Sequence, residues 1–332
     1  GHGGSAAALV CPYHGWTFDS SGSLSSIPLP DEYPTSFDKR QHGLKAVARV
    51  EVYRGFVFVK LTEAETSLMD FLGHMRTSID DLVDRAPADD LEVAPFLLRH
   101  RYRGNWKLSF ENLNDTLHAG VAHGAAIRAA RRVAAAPLGT DAHPILRMMM
   151  ANGKPLADFQ ALEMVTERGG HSYFGGHMGF GYAPSDHGAY FEALSSSRGE
   201  GRAREILSVD RHLTLLYPSS TWHGRYQTVR MIRPLAPDLT EVVAMVFRLK
   251  GAPEATFESA LEYCGQSSSP LSSVITDDLE LYETIQANAR HAPEWLPIAR
   301  GLSRVSSNRE PSTSEAFIRN QYRHWVAALT AP

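Results

Sequence analysis

The sequence predicts an α+β fold, because its β-type runs and its helical runs are grouped rather than alternating. Residues 206–217, 226–235 and 241–249 are rich in β-branched and apolar side chains. They read as three adjacent antiparallel strands, linked at Pro218-Ser219-Ser220 and between Pro234 and Pro237. Helices follow at residues 253–264, 278–289 and 313–329. A separate hairpin, residues 44–52 and 55–61 around Tyr53-Arg54-Gly55, shows the alternation Phe56, Phe58, Lys60 and reads as the end of a small β domain. A chain of 332 residues has room for two domains. The expected division is residues 1–61 and 62–332.

The remaining elements follow in order. Pro28, Pro30 and Pro34 punctuate a loop inside the first domain. Residues 65–84 read as a helix and residues 91–102 as a strand that leads to Trp106 and a second helix. Residues 129–137 are rich in alanine and arginine, and Arg128, Arg131 and Arg132 are expected on a solvated helix face. Residues 169–180 combine glycine, histidine and aromatics without a phosphate-loop pattern, and read as a structural connection, with a flexible loop beside an apolar pocket as the functional alternative.

The densest chemistry lies in Glu111-Asn112-Leu113-Asn114-Asp115-Thr116-Leu117-His118-Ala119-Gly120-Val121-Ala122-His123. Two imidazoles and a carboxylate with open coordination positions form the ligand set of non-haem Fe(II) oxygenases, since O2 and substrate both need room beside the metal. Residues five apart lie about 140° round an ideal helix. His118 and His123 therefore converge only if the helix bulges or ends between them. Asp115, three residues before His118, is placed to accept a hydrogen bond from an imidazole N–H and so orient it. Asn112 lies one turn earlier and is expected to line the same pocket.

A second signal sits near the N-terminus, where Val10-Cys11-Pro12-Tyr13-His14-Gly15-Trp16 carries a thiol and an imidazole two residues apart. This stretch resembles the second half of a Rieske [2Fe–2S] motif, in which each half gives one Cys and one His. Together with Asn105-Trp106-Lys107, Glu111-Asn112, Asp115, His118 and His123 about a hundred residues later, it resembles the large (alpha) subunit of Rieske-type aromatic ring-hydroxylating oxygenases.

The resemblance implies a curved antiparallel sheet gripping a long helix, with a mononuclear Fe(II) between them. It implies Cys11 and His14 as cluster ligands, and His118, His123 and a distant acid as iron ligands. The segment Ile275-Thr276-Asp277-Asp278-Leu279-Glu280 supplies that acid. Asp278 is the expected ligand. Asp277, with Glu280 three residues on, is expected to cap a helix over residues 279–289. The resemblance also gives Asp115 the task of bridging an iron histidine to a cluster histidine of a neighbouring subunit.

The partners implied are an aromatic substrate and O2, a separate NAD(P)H reductase with or without a ferredoxin, and two further copies of the chain in a trimer that small subunits can join. No nicotinamide fingerprint occurs in the chain itself. The Cys-x-His half of the motif is absent from the ten residues before Cys11 and is expected upstream. His2 lacks a partner cysteine.

Composition narrows the rest. A net charge of −4 leaves no basic footprint for nucleic acid or an anionic membrane. No apolar run reaches the length of a membrane span, and no secretory signal is visible, so the expected location is the cytoplasm. With only Cys11 and Cys264, no disulfide framework exists, and Cys264 reads as a small buried side chain. Pocket positions near Leu113, Thr116, Leu117 and Val121 are apolar or small, in agreement with an aromatic ring. Arg225 and Arg230 are the candidates for pairing with a substrate carboxylate, against a surface position. His171, His177 and His187 form a lower-ranked metal set. Two other functions fit the same residues: a hydrolase with catalytic zinc at His118, His123 and the acid, or a non-catalytic ligand-binding module of the same fold.

Overall fold

The structure is a computed structural model that describes residues 6–62, 66–135, 144–176, 188–209, 211–304 and 307–330. The chain divides into two compact units, Gly1–Leu68 and Met69–Pro332. In the first, β1 (Ala8–Val10), β2 (Thr17–Asp19) and β3 (Leu24–Ser26) form a three-stranded antiparallel sheet. Then β4 (Arg49–Tyr53) and β5 (Phe56–Lys60) make the expected hairpin. Its two turn residues, Arg54 and Gly55, have φ of 50° and 85°. Positive φ at both central positions matches the twist of the flanking strands, and glycine adopts it without steric cost.

Next, α1 (Leu68–Leu72), which starts on the last residue of the first unit, and α2 (Arg76–Asp84) in the second occupy the region read as one helix. The single strand expected over residues 91–102 is two, β6 (Leu91–Val93) and β7 (Leu98–Tyr102). Pro95 lies between them and has no N–H to continue a ladder. Helices α3 (Trp106–Leu113), α4 (Leu117–Ala122), α5 (Gly124–Ala134), α6 (Pro144–Asn152) and α7 (Leu156–Ala161) come next. They are followed by β8 (Glu163–Thr166), β9 (Ser172–Phe174), α8 (Ala189–Arg198) and α9 (Glu200–Ser208). The strands β10 (His212–Leu216), β11 (Ser220–His223), β12 (Thr228–Ala236) and β13 (Leu239–Leu249) precede α10 (Glu254–Ser268), α11 (Ile275–Asn288), β14 (Arg309–Pro311) and α12 (Ala316–Thr330).

These strands build one nine-stranded sheet in the order β14-β8-β9-β10-β11-β12-β13-β6, with β7 beside β6 on β13. Every pairing among the described residues is antiparallel. Three expectations are corrected here. Residues 206–208 close α9 rather than open a strand. Ser220, read as linker, begins β11, which separates β10 from β12. All four β11 residues are buried, so the strand has no alternation to reveal it. Within the expected loop at 169–180, Ser172–Phe174 is a buried inner strand, and residues 177–180 lie outside the described residues.

Helix α3 packs on β12, α10 along β13, and α11 on β7 and α3. Between helices and sheet lies an aromatic core that includes Tyr102, Trp106, Phe110, Tyr217, Tyr226 and Phe317. Each such side chain contributes roughly 1.5–3 kcal/mol of burial.

A buried histidine fastens this sheet. His171 is 1% exposed; its Nδ1 accepts the Tyr217 N–H at 3.0 Å, and its Nε2 donates to the Phe71 carbonyl at 3.0 Å. Burial pushes its pKa down to about 4, against the Phe71 carbonyl and with the nearby His324. The neutral ring is the folded form, whereas the unfolded chain takes the proton near the ordinary value of about 6.5. Stability tied to His171 is therefore complete above that value and falls as pH drops from it towards 4. About 2 kcal/mol should be lost between pH 7 and pH 5. Urea unfolding of His171→Gln, which binds no proton in this range, should show a correspondingly flatter pH profile. An equal slope in the variant would count against this origin.

Candidate metal centre

The local sequence explains how two histidines five residues apart meet. The Asn105 side chain accepts the Lys107 N–H at 3.1 Å and starts α3, whose inward face is Trp106, Ser109 and Phe110. After Asn114, Asp115 restarts the helix: its Oδ1 accepts the Leu117 N–H at 3.0 Å and its Oδ2 the His118 N–H at 3.3 Å. Helix α4 then ends at His123, where φ of −89° and ψ of 16° separate it from α5. This break is the helix end that the spacing required. The two imidazole centroids are 5.6 Å apart.

The acid arrives from α11. Ser272 Oγ accepts the Ile275 N–H at 3.1 Å, so the helix begins at Ile275 and both Asp277 and Asp278 lie in its first turn. Asp277 is thus not the cap expected from the sequence. Asp278 is 4% exposed. Its Oδ1 lies 3.7 Å from His118 Nε2 and 3.6 Å from His123 Nε2. Asn112 Nδ2 donates to the same oxygen at 3.1 Å.

The donor atoms of His118, His123 and Asp278 all lie within 4.8 Å of one another, the only such group among the described residues. Two donors sharing one ion at bond lengths of about 2.1 Å stand up to about 4.2 Å apart. The acid-to-histidine distances fit an ion. Of the lower-ranked set, His171 is engaged by two backbone groups, and His177 and His187 lie outside the described residues.

Both histidines turn their Nδ1 atoms away from this point. His118 Nδ1 faces Asp115 Oδ2 at 3.7 Å, longer than a hydrogen bond, while His123 Nδ1 meets Asp277 Oδ2 at 3.2 Å. Asp115 is also reached by Arg300, whose Nη2 is 3.4 Å from Oδ1. Arg300 approaches from 185 residues downstream, a separation at which no local pattern signals the contact. Burial pushes the Asp278 carboxyl above its ordinary pKa, against the pull of His118, His123 and Asn112. Burial opposes charge on His118 as well, but Asp115 and Asp278 outweigh it and raise its pKa. Asp115 shows the reverse balance: burial raises it, and His118, the Leu117 N–H and Arg300 bring it below the usual carboxylate value. A buried carboxyl biased towards its neutral form beside a His118 biased towards charge is an arrangement that a divalent cation would relieve.

A cleft of about 90 Å³ opens beside the three residues. Leu113, Ala119, Met148, Phe174, Leu213 and Val274 supply apolar wall, and Thr116, Asn152, His212 and Tyr263 supply polar groups. Of the four pocket positions expected, Leu113 and Thr116 line it. Val121 is 84% exposed and Leu117 is not on the wall. Arg230 is buried at 7% exposure rather than on the surface. Its guanidinium donates from Nε to Ser268 Oγ at 2.8 Å and from Nη2 to the Ser267 carbonyl at 3.0 Å, where a cation complements the C-terminal end of α10. Arg225 sits in a 3₁₀ turn, Gly224–Tyr226, and not on a strand.

In the first unit, Cys11 and His14 line one cleft with Leu9, Val10, Trp16, Phe18 and Leu44. The turn carrying them is closed by Gly15 N–H to the Cys11 carbonyl at 2.9 Å and Cys11 N–H to the Trp16 carbonyl at 2.8 Å. They supply one thiol and one imidazole, half of a Rieske ligand set.

Fold and site together define a class: a catalytic-type α+β unit with a two-histidine, one-carboxylate cluster, preceded by a small β unit bearing half a Rieske motif. The chain belongs to the family of ring-hydroxylating alpha subunits. The profile of that family's catalytic domain matches residues 70–331, and the profile of the Rieske [2Fe-2S] domain matches residues 1–48.

Among curated relatives, the anthranilate 1,2-dioxygenase large subunit of Acinetobacter baylyi is 32% identical over 252 residues, 75% of this chain and 52% of the relative. The toluate 1,2-dioxygenase subunit alpha of Pseudomonas putida is 33% identical over 313 residues, 88% of this chain and 65% of the relative. The chain thus spans between half and two thirds of these relatives. A solved naphthalene 1,2-dioxygenase with indole bound shares the fold, with a TM-score of 0.74 at 24% identity over 99% of this chain and 74% of that one. No helix among the described residues is long and apolar enough to cross a membrane.

Proposed function

We propose that the chain is the oxygenase component of a system that hydroxylates an aromatic ring with O2 and electrons drawn from a reductase. The observation that carries this reading is the meeting of His118, His123 and Asp278 at an open, largely apolar cleft inside the segment that matches the family's catalytic domain. In this reading residues 62–332 form the catalytic domain, with His118, His123 and Asp278 as ligands of a mononuclear Fe(II). Residues 1–61 form the C-terminal part of a Rieske domain, with Cys11 as a ligand of one iron and His14 as a ligand of the other in a [2Fe–2S] cluster.

When bound, the iron would supply O2 activation and the cluster single-electron transfer. The chain's own residues do the positioning. Asn112 holds the Asp278 carboxylate by its Oδ1. Leu113, Met148, Phe174 and Leu213 present apolar surface to a flat ring and keep water from it. Asp115, next to His118 yet outside the ligand set, is the residue assigned to the electron route between subunits. The wider assembly belongs to the same proposal: a trimer of such subunits, with or without small subunits, an NAD(P)H reductase with or without a ferredoxin, in the cytoplasm. Neither Cys11 nor Cys264 is in a disulfide, in keeping with a reducing compartment. Because two relatives are named for anthranilate and toluate, substituted single-ring aromatics are the first substrates to try. Nothing in the comparisons favours the hydrolase alternative.

The test bypasses the cluster. Hydrogen peroxide carries the two oxygen atoms, two electrons and two protons that O2 and a reductase would deliver. The chain is loaded anaerobically with Fe(II), supplied with ¹⁸O-labelled peroxide, and offered anthranilate, toluate and naphthalene in turn. Label in a hydroxylated ring product, dependent on iron, is the expected result. Stoichiometric zinc with ester or amide hydrolysis, or failure to bind Fe(II) at all, would overturn the reading.

A further inference from the structure

The structure leaves Asp277, expected from the sequence to be a helix cap, with a different neighbour from Asp278. Both acids lie in the first turn of α11, but their surroundings differ. Asp278 is 4% exposed and points its Oδ1 at both Nε2 atoms. The Asp277 side chain is 38% exposed and meets only the far side of one ring, with Oδ2 3.2 Å from His123 Nδ1. That ring is 1% exposed, and its Nε2 is 3.6 Å from Asp278 Oδ1.

An imidazole ligates through one nitrogen, and the group on the other nitrogen decides which one carries the proton. A carboxylate only accepts, so a hydrogen bond between Asp277 and His123 requires a proton on Nδ1. The Nε2 lone pair is then left facing Asp278. His123 stands at the break between α4 and α5, where no continuous helix fixes the orientation of its side chain. The corresponding contact at His118 is longer, 3.7 Å to Asp115. Of the two rings, His123 is the one firmly held from behind.

We infer that Asp277 is a positioning residue for the metal centre: its carboxylate takes the His123 Nδ1–H and so presents Nε2 to a divalent cation. The inference rests on the reading of His118, His123 and Asp278 as metal ligands. A first-turn acid also stabilises its helix by a modest dipole effect, and this is the structural role that must be separated from positioning.

The experiment measures anaerobic Fe(II) affinity by competition with a chromophoric chelator, and records the Co(II) absorption bands of the substituted protein. Asp277→Ala should weaken Fe(II) binding by about 10- to 100-fold and shift the Co(II) bands. Asp277→Asn keeps an oxygen that can accept from Nδ1, so it should lose less affinity and keep a spectrum near that of the unmutated chain. In a His123→Ala background, Asp277→Ala should have no further effect on affinity.

Unchanged affinity and bands in Asp277→Ala, with or without a drop in metal-free melting temperature, would leave only the helix role and overturn the inference. An equal Asp277→Ala effect with and without His123 would do the same. Failure of the unmutated chain to bind Fe(II) or Co(II) would instead remove the metal reading itself.

Discussion

Replacing Asp278 with alanine is expected to empty the metal centre. The carboxylate is the only acidic member of the three-residue set, and both histidines sit 3.6–3.7 Å from its Oδ1. Two neutral imidazoles on α4 and at its end would be left to hold the ion without a negative ligand. Affinity for Fe(II) should fall by more than the roughly 100-fold upper end seen for residues that only support ligands. Peroxide-driven turnover should fall with it.

The stability of the metal-free protein should move the other way. Burial raises the Asp278 pKa, so the unfolded chain releases this proton at lower pH than the folded one. The charged carboxylate therefore works against folding, and the loss accumulates as pH rises from the unfolded pKa to the folded one and is constant above it. Asp278→Asn keeps the volume and an acceptor for Asn112 while removing the charge. The metal-free variant should melt at or above the temperature of the unmutated metal-free chain. Iron analysis and metal-free thermal melts on the same samples check both halves. Full iron occupancy in Asp278→Ala would show that the wrong member of the acidic pair had been chosen.

That choice shows what could be read in advance. The spacing of His118 and His123 required a helix break if the two rings were to meet, and the break stands at His123; the metal reading itself came from the family resemblance. The pair Asp277-Asp278 was visible as acid, but the pattern Asp277-x-x-Glu280 suits a helix cap equally well. What decided against capping was Ser272, whose hydroxyl starts the helix further upstream. A short polar residue in a run of serines carries no distinctive signal. With the start moved to Ile275, Asp277 became free to meet a ring 154 residues earlier.

The fold was legible where periodicity was strong and opaque where burial was complete on both faces. The β4–β5 hairpin alternates half-buried and exposed side chains and was found with its turn. Strand β11 is buried throughout, opens with serine and threonine, and follows a proline, so it resembled a linker. The burial of Arg230, which lines the cleft, was opaque for a related reason. Nothing in a strand's own sequence reveals that the end of α10, 37 residues later, will receive its guanidinium.

The second large effect is expected at Asp115, and it should separate electron delivery from chemistry. Asp115 does not belong to the ligand set; its oxygens serve the N–H groups of Leu117 and His118, the His118 ring at 3.7 Å, and Arg300. Loss of the two backbone contacts in Asp115→Ala should cost about 1 kcal/mol, the usual scale for a helix cap. Asp115→Asn retains an oxygen for them while losing the charge. Iron should stay bound in both variants.

In a complete protein with an intact cluster and its reductase, O2-dependent turnover should drop by about 100-fold or more, equivalent to about 2.7 kcal/mol in the rate-limiting barrier. Peroxide-driven turnover in the same preparations should stay within a few-fold of the unmutated protein, because it needs no electron from a neighbouring subunit. Equal losses in the two assays would assign Asp115 to the geometry of His118 instead. Normal reductase-driven turnover would remove it from the electron route altogether. The Asn variant guards the comparison, since a fall seen only in Asp115→Ala would point to the start of α4 rather than to the charge.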